Sequence, residues 1–173
     1  MQELGKTAPQ PIKSIAGLAV AGASWAASQY VGASLWVPAV AALLIALLFA
    51  KTPLRPRYFK GAIAVVAAHV AWFAVALFMV GGLAIVADVV ILGLALLWLW
   101  LRPGLPSVIA LGLIELSLLV YNSVAYVAMP LGSAEHRAMT VHVALRVLAL
   151  VTLFLGYRSM REEQSLATAP AAT

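Results

Sequence analysis

Cysteine is missing from all 173 residues. Its absence removes disulfides, thiolate nucleophiles, iron–sulfur clusters and thiolate zinc sites together, and says nothing about redox compartment. Charge is scarce too. Lys and Arg number 11 and Asp and Glu 6, so 10% of the chain is charged, against roughly 25% in a soluble domain. So few charges cannot cover a globule of this length, and lipid must cover much of the surface. Glycine-rich phosphate loops, HExxH and nucleophile elbows are also lacking, so no catalytic residue, cofactor or metal is assigned and the chain does not read as an enzyme. The net charge of +5 does not imply nucleic acid. The basic residues sit at the ends of apolar runs and form no basic stripe with interleaved aromatics on a polar helix.

What is present is apolar sequence, 64% of the chain. A helix crossing a bilayer needs about 20 apolar residues, and the runs divide into six. They cover residues 14–30, 35–50, 61–80, 83–101, 105–129 and 139–157. The fold class predicted is all-α, a polytopic membrane helical bundle of six transmembrane helices over residues 14–157. A cytoplasmic lead of 1–13 precedes it and a cytoplasmic tail of 158–173 follows. That tail is read as disordered, because it is charged and then Ala/Thr-rich, without the aromatic and branched residues needed to pack. A basic loop (51–60), the glycines Gly81 and Gly82, the stop at Arg102, Pro103 and Gly104, and the turn at Pro130 and Gly132 punctuate the runs.

Orientation follows from the cations. With the N-terminus inside, the inner segments hold Lys6, Lys13, Lys51, Arg55, Arg57, Lys60, Arg102, Arg158 and Arg161, and the outer loops hold only Arg137. That asymmetry places both termini in the cytoplasm of a bacterial-type inner or plasma membrane. Prolines fall in tails, loops or first helical turns. Trp98, Trp100, Tyr58, Phe59 and Tyr157 form an inner aromatic belt, and Trp25, Tyr30, Trp36 and Tyr126 an outer one. Two subsidiary patterns have blander explanations. Lys6, Lys13 and Ala21-Gly22-Ala23 resemble a cleavable signal peptide. The second and fourth runs end alike, which sets His69 opposite Glu115 as a duplicated helix pair would, or as Leu/Ala-rich helices do by chance.

Ionisable groups inside the spans are few: His69, Asp88, Glu115, His142 and Arg146, with Asn122 as a polar neighbour. A charge there is a functional candidate whose partner must be named. With a rise of about 1.5 Å per residue, His69 and Glu115 lie roughly 12–15 Å above the cytoplasmic face, and Asp88 and His142 roughly 5–8 Å below the outer one. The expectation is therefore two layers, His69 with Glu115 below, and Asp88, Asn122, His142 and Arg146 above. Asp88 is the expected main partner of Arg146, with Glu115 or Asn122 second. Placing His69 and His142 in opposite leaflets argues against a shared haem. His136, read as lying in the outer loop, has the wrong spacing from His142 for a helical metal pair.

Three functions fit. The leading one is a small carrier or channel, proton-linked, that uses the network His69, Asp88, Glu115, Asn122, His142 and Arg146 as a relay. Its structural counterpart is an ion-pair network that only fixes helix register. The second is a non-catalytic membrane subunit or scaffold, binding partner helices or a second copy through small-residue faces such as Gly22 with Ala26. The third is a lipid- or quinone-modifying membrane enzyme. Lipid is a partner in every case, and the basic loop attracts anionic headgroups.

Overall fold

Basic and prolyl stops cut the apolar sequence into rods, and the computed structural model shows those rods as helices. It describes residues 36–52, 56–79 and 82–168, with Gln29 apart. The expected first span, its Gly22 face, the lead before it and the end of the tail lie outside the described residues. The described chain is all-helical, 88% helix without a strand. The helices are α1 (Trp36–Lys51), α2 (Lys60–Met79), α3 (Leu83–Leu101), α4 (Leu105–Ala128) and α5 (Ala134–Thr168). Three stretches are long and apolar enough to cross a membrane, Lys60–Phe78, Leu105–Ala128 and Ala134–Leu166, with Ile85–Leu101 shorter.

Local chemistry sets the boundaries. The Arg102 N–H still donates to Trp98 O at 2.9 Å, and Pro103 then stops α3. The Ser107 hydroxyl reaches back to Arg102 O at 2.9 Å and accepts from Gly104 N–H at 3.2 Å, which fastens the start of α4. At the opposite end Gly132 takes φ +79°, and Ser133 N–H donates to Pro130 O at 3.1 Å. The Ser133 hydroxyl then accepts from His136 N–H at 3.0 Å, an N-cap helped by Glu135 in the first turn.

That cap starts α5 at Ala134, five residues before the expected 139. α5 also runs on to Thr168, through residues read as a disordered tail. Tertiary contact overrides composition there. Met160 is buried, Arg158 pairs with Glu162 one turn on at 3.3 Å, and Glu163 pairs with Arg57 ahead of α2.

α2, α3, α4 and α5 form a ring in chain order, closed by contact of α5 with α2, and α1 packs on α2 from outside. Among the described residues the backbones of α2 and α4, and of α3 and α5, do not approach one another closely. The end of the ring carrying Arg57, Lys60, Arg102 and Arg158 is here termed the basic end. Near it lies the apolar core, with Ile63 and Val66 of α2, Leu92 and Leu99 of α3, Leu111 of α4 and Leu153 of α5 all buried. Phe49 of α1 meets Trp100 of α3 edge-on, ring centroids 5.8 Å apart. Phe59 takes φ +59° and is buried against α5. A Cβ on Gly156 would stand 2.5 Å from the Phe59 ring, so α5 can pass this corner only with glycine. The outer surface is apolar on every helix, with Leu44 60%, Leu94 63%, Val124 68% and Phe154 59% exposed. Apolar surface on this scale calls for lipid or protein cover.

Candidate functional site

Halfway along the ring the apolar core gives way to polar side chains from three helices. His69 is the tenth residue of α2 and Glu115 the eleventh of α4, so both sit about 13–15 Å from the basic end by helix rise. On α4 the buried residues Ser107, Leu111, Glu115 and Asn122 share one face, at the spacing of a helical stripe. On α5, His142 and Arg146 are one turn apart and point into the same interior.

Two contacts define the site. His69 Nε2 and His142 Nδ1 lie 2.9 Å apart, so one ring donates and the other accepts. Arg146 Nη1 donates to Glu115 Oε2 at 2.8 Å, with both side chains only 1% exposed. Aromatic rings wall the histidines. Trp72 stacks on His142 at 4.8 Å. Phe73 stacks on His69 at 4.7 Å and on His142 at 5.1 Å. The Arg146 guanidinium carbon lies 5.9 Å from the Phe73 ring centre, at the outer limit of a cation–π contact. Phe73 therefore touches both polar pairs. Its spacing of four from His69 carried the signal, which a search for ionisable groups passed over.

The six expected residues are thus partly regrouped. His69 and His142 are in contact, not in opposite leaflets. The expected separation rested on starting the sixth span at 139, and five residues of helix shift the register by about 7.5 Å. The argument against a shared haem, which rested on opposite leaflets, falls with that separation; among the described residues no three His, Asp or Glu side chains gather as metal ligands would. Arg146 pairs with Glu115, not Asp88. Asp88 stands on α3, whose backbone does not come close to that of α5, and no ion pair joins it to Arg146 among the described residues. Asp88 instead lines a cleft of about 300 Å³ with Ile91, Leu113, Ile114, Ser117 and Leu118, between α3 and α4. Asn122 is buried two turns beyond Glu115. His136 sits in the first turn of α5, not in a loop, and stacks on Tyr126 at 4.2 Å.

A dry, purely structural network satisfies its polar atoms. Here His69 Nδ1, Glu115 Oε1 and Arg146 Nε are buried and have no hydrogen-bond partner among the described residues. Each belongs to a different helix, and together they leave acceptor and donor capacity unused. Comparison with protein families, with curated proteins and with solved structures finds no match to this chain.

Proposed function

We propose that this chain is a six-span membrane protein with both termini in the cytoplasm, and that it is a small carrier or channel conducting protons through the His69–His142 pair. The observation that carries the reading is the set of three unpartnered atoms around two linked polar pairs at mid-height. The clustering of cations at one end of the ring supports the orientation.

The relay needs only the two rings. When His69 Nε2–H donates to His142 Nδ1, a proton arriving at His69 Nδ1 makes an imidazolium. His69 then passes its Nε2 proton to His142 Nδ1, and His142 releases the proton from Nε2. Each ring ends neutral with its proton moved to the other nitrogen, and both must return to the first tautomer before the next transfer. Trp72 and Phe73 hold the ring planes in place. Arg146 keeps a positive charge one turn away, and Glu115 neutralises it. Protonation of Glu115 would unmask that charge beside the relay.

The test is purified protein in liposomes loaded with a pH-sensitive dye. An imposed pH gradient should collapse faster than in protein-free liposomes. The variants His69→Phe and His142→Phe should lose most of that flux while keeping helicity and elution volume. A wild-type rate equal to that of protein-free liposomes would overturn the relay and leave a register-fixing network. The subunit and enzyme readings draw no specific observation from the described residues.

A further inference from the structure

At the basic end, a cleft of about 300 Å³ opens between the segment leading into α2 and the C-terminal half of α5. It is lined by Arg57, Tyr58, Lys60 and Gly61 on one side and Leu155, Gly156 and Ser159 on the other. Arg57 and Lys60 give one wall two positive charges. Tyr58 and Ser159 supply hydroxyl groups. The cleft also takes in the first residues of α2, whose N–H groups have no acceptor within the helix. The floor is small because Gly61 and Gly156 lie at the α2–α5 contact, and Phe59 fills the corner behind it. Leu155, 54% exposed, continues the cleft onto the apolar outside of the bundle beside Phe154 and Val151.

An ion pair already spans the mouth of the cleft. Arg57 and Tyr58 reach along α5 to Glu163, one turn past Ser159. Arg158, which faces elsewhere, pairs with Glu162. Lys60 makes no ion pair among the described residues.

We propose that this cleft seats the headgroup phosphate of an anionic phospholipid, with Arg57 and Lys60 as its charge partners, Tyr58 and Ser159 as hydroxyl donors and the acyl chains along Leu155, and that lipid and Glu163 compete for Arg57. Charge-assisted contacts to phosphate are the strong ones, and the continuity of a cationic pocket with a lipid-facing wall selects a lipid over a free phosphate. The inference rests on the membrane placement and not on the proton relay.

The experiment is native mass spectrometry of the purified full chain from mixed phosphatidylglycerol and phosphatidylcholine nanodiscs, counting retained lipid. Wild type should retain phosphatidylglycerol preferentially. Arg57→Gln with Lys60→Gln should lower that retention about tenfold, and Ser159→Trp, which fills the cleft without changing charge, should lower it similarly. Glu163→Gln should raise it by freeing Arg57. The control Arg102→Gln with Arg158→Gln removes as much charge outside the cleft and should leave retention unchanged. Equal loss in the control would show that only general surface charge matters and would overturn the proposal. Equal retention of phosphatidylcholine, or displacement of the bound lipid by inorganic phosphate at millimolar concentration, would overturn it as well. Loss of proton flux in any of these variants has no bearing on the outcome.

Discussion

The two halves of the ring are built from the same apolar alphabet but use it differently. In the half toward the basic end, Ile63, Val66, Leu92, Leu99, Leu111 and Leu153 turn inward and close the ring with hydrocarbon. In the other half the inward positions go to His69, Asn122, His142 and aromatic rings, while Leu83, Val124 and Val127 face outward. Hydropathy barely differs between the halves, since a leucine counts the same whether it faces lipid or a neighbouring helix. The difference lies in azimuth. One half is a plug, the other is lined with polar and aromatic side chains, and the Glu115–Arg146 pair marks the boundary.

The sharpest way to break this contrast is at the boundary. Glu115→Ala or Arg146→Ala alone should destabilise by about 3–5 kcal/mol, because each strands a buried charge. The double change Glu115→Leu with Arg146→Leu should recover much of that, whereas Asp88→Leu with Arg146→Leu should not. Denaturant unfolding in detergent micelles reads all of these, and a full rescue by the Asp88 combination would refute the pairing. Next comes the plug. Leu92→Ala should cost about 2–3 kcal/mol through the cavity it leaves, while Val124→Ala in the other half, facing outward, should lie within about 0.5 kcal/mol of wild type. Equal losses would show that the halves are packed alike.

A smaller effect is expected at the corner of α2 and α5. Gly156→Ala sets a Cβ against the buried Phe59 ring, for about 1–3 kcal/mol of overpacking. The pair of changes Gly156→Ala and Phe59→Ala should lose less than the sum of the single changes. The smallest effect concerns the tether between Arg57 and Glu163. Hydrogen bonds from Arg57 and Tyr58 hold the Glu163 carboxyl below its usual value of 4.5. A carboxylate held low stabilises the folded state fully above its unfolded value, and loses that stabilisation as pH falls through the folded value. Amides of residues 158–168 should therefore exchange faster, after correction for intrinsic rates, as pH drops below the carboxylate range. Glu163→Gln should exchange at one corrected rate throughout.

Much of the scaffold was legible in the sequence. The bounds of α1 to α4 fall within a residue or so of the apolar runs, because lysine, arginine, proline and glycine break both hydropathy and helix at the same places. The start of α5 was not, because Ser133, Ala134, Glu135, His136 and Arg137 read as a polar loop when they are an N-cap and a first helical turn. Ser133 with Glu135 two residues on was the available signal. That one boundary displaced His142 and split a single polar layer into two. The partner of Arg146 was hidden for another reason. Depth can be counted along a helix, but which helices are neighbours around the ring is a tertiary fact. The helical extension to Thr168 depends likewise on Arg57, more than a hundred residues earlier.

The ring order has a consequence for biogenesis. Because α5 closes the ring on α2, the polar layer cannot be completed until the last helix emerges from the ribosome. Glu115 is synthesised 31 residues before its arginine, and His69 waits 73 residues for His142. At about 5–20 residues per second of synthesis, the carboxyl group of α4 spends a few seconds without its counter-ion. During that interval it must stay protonated, stay within the insertion machinery, or borrow another partner.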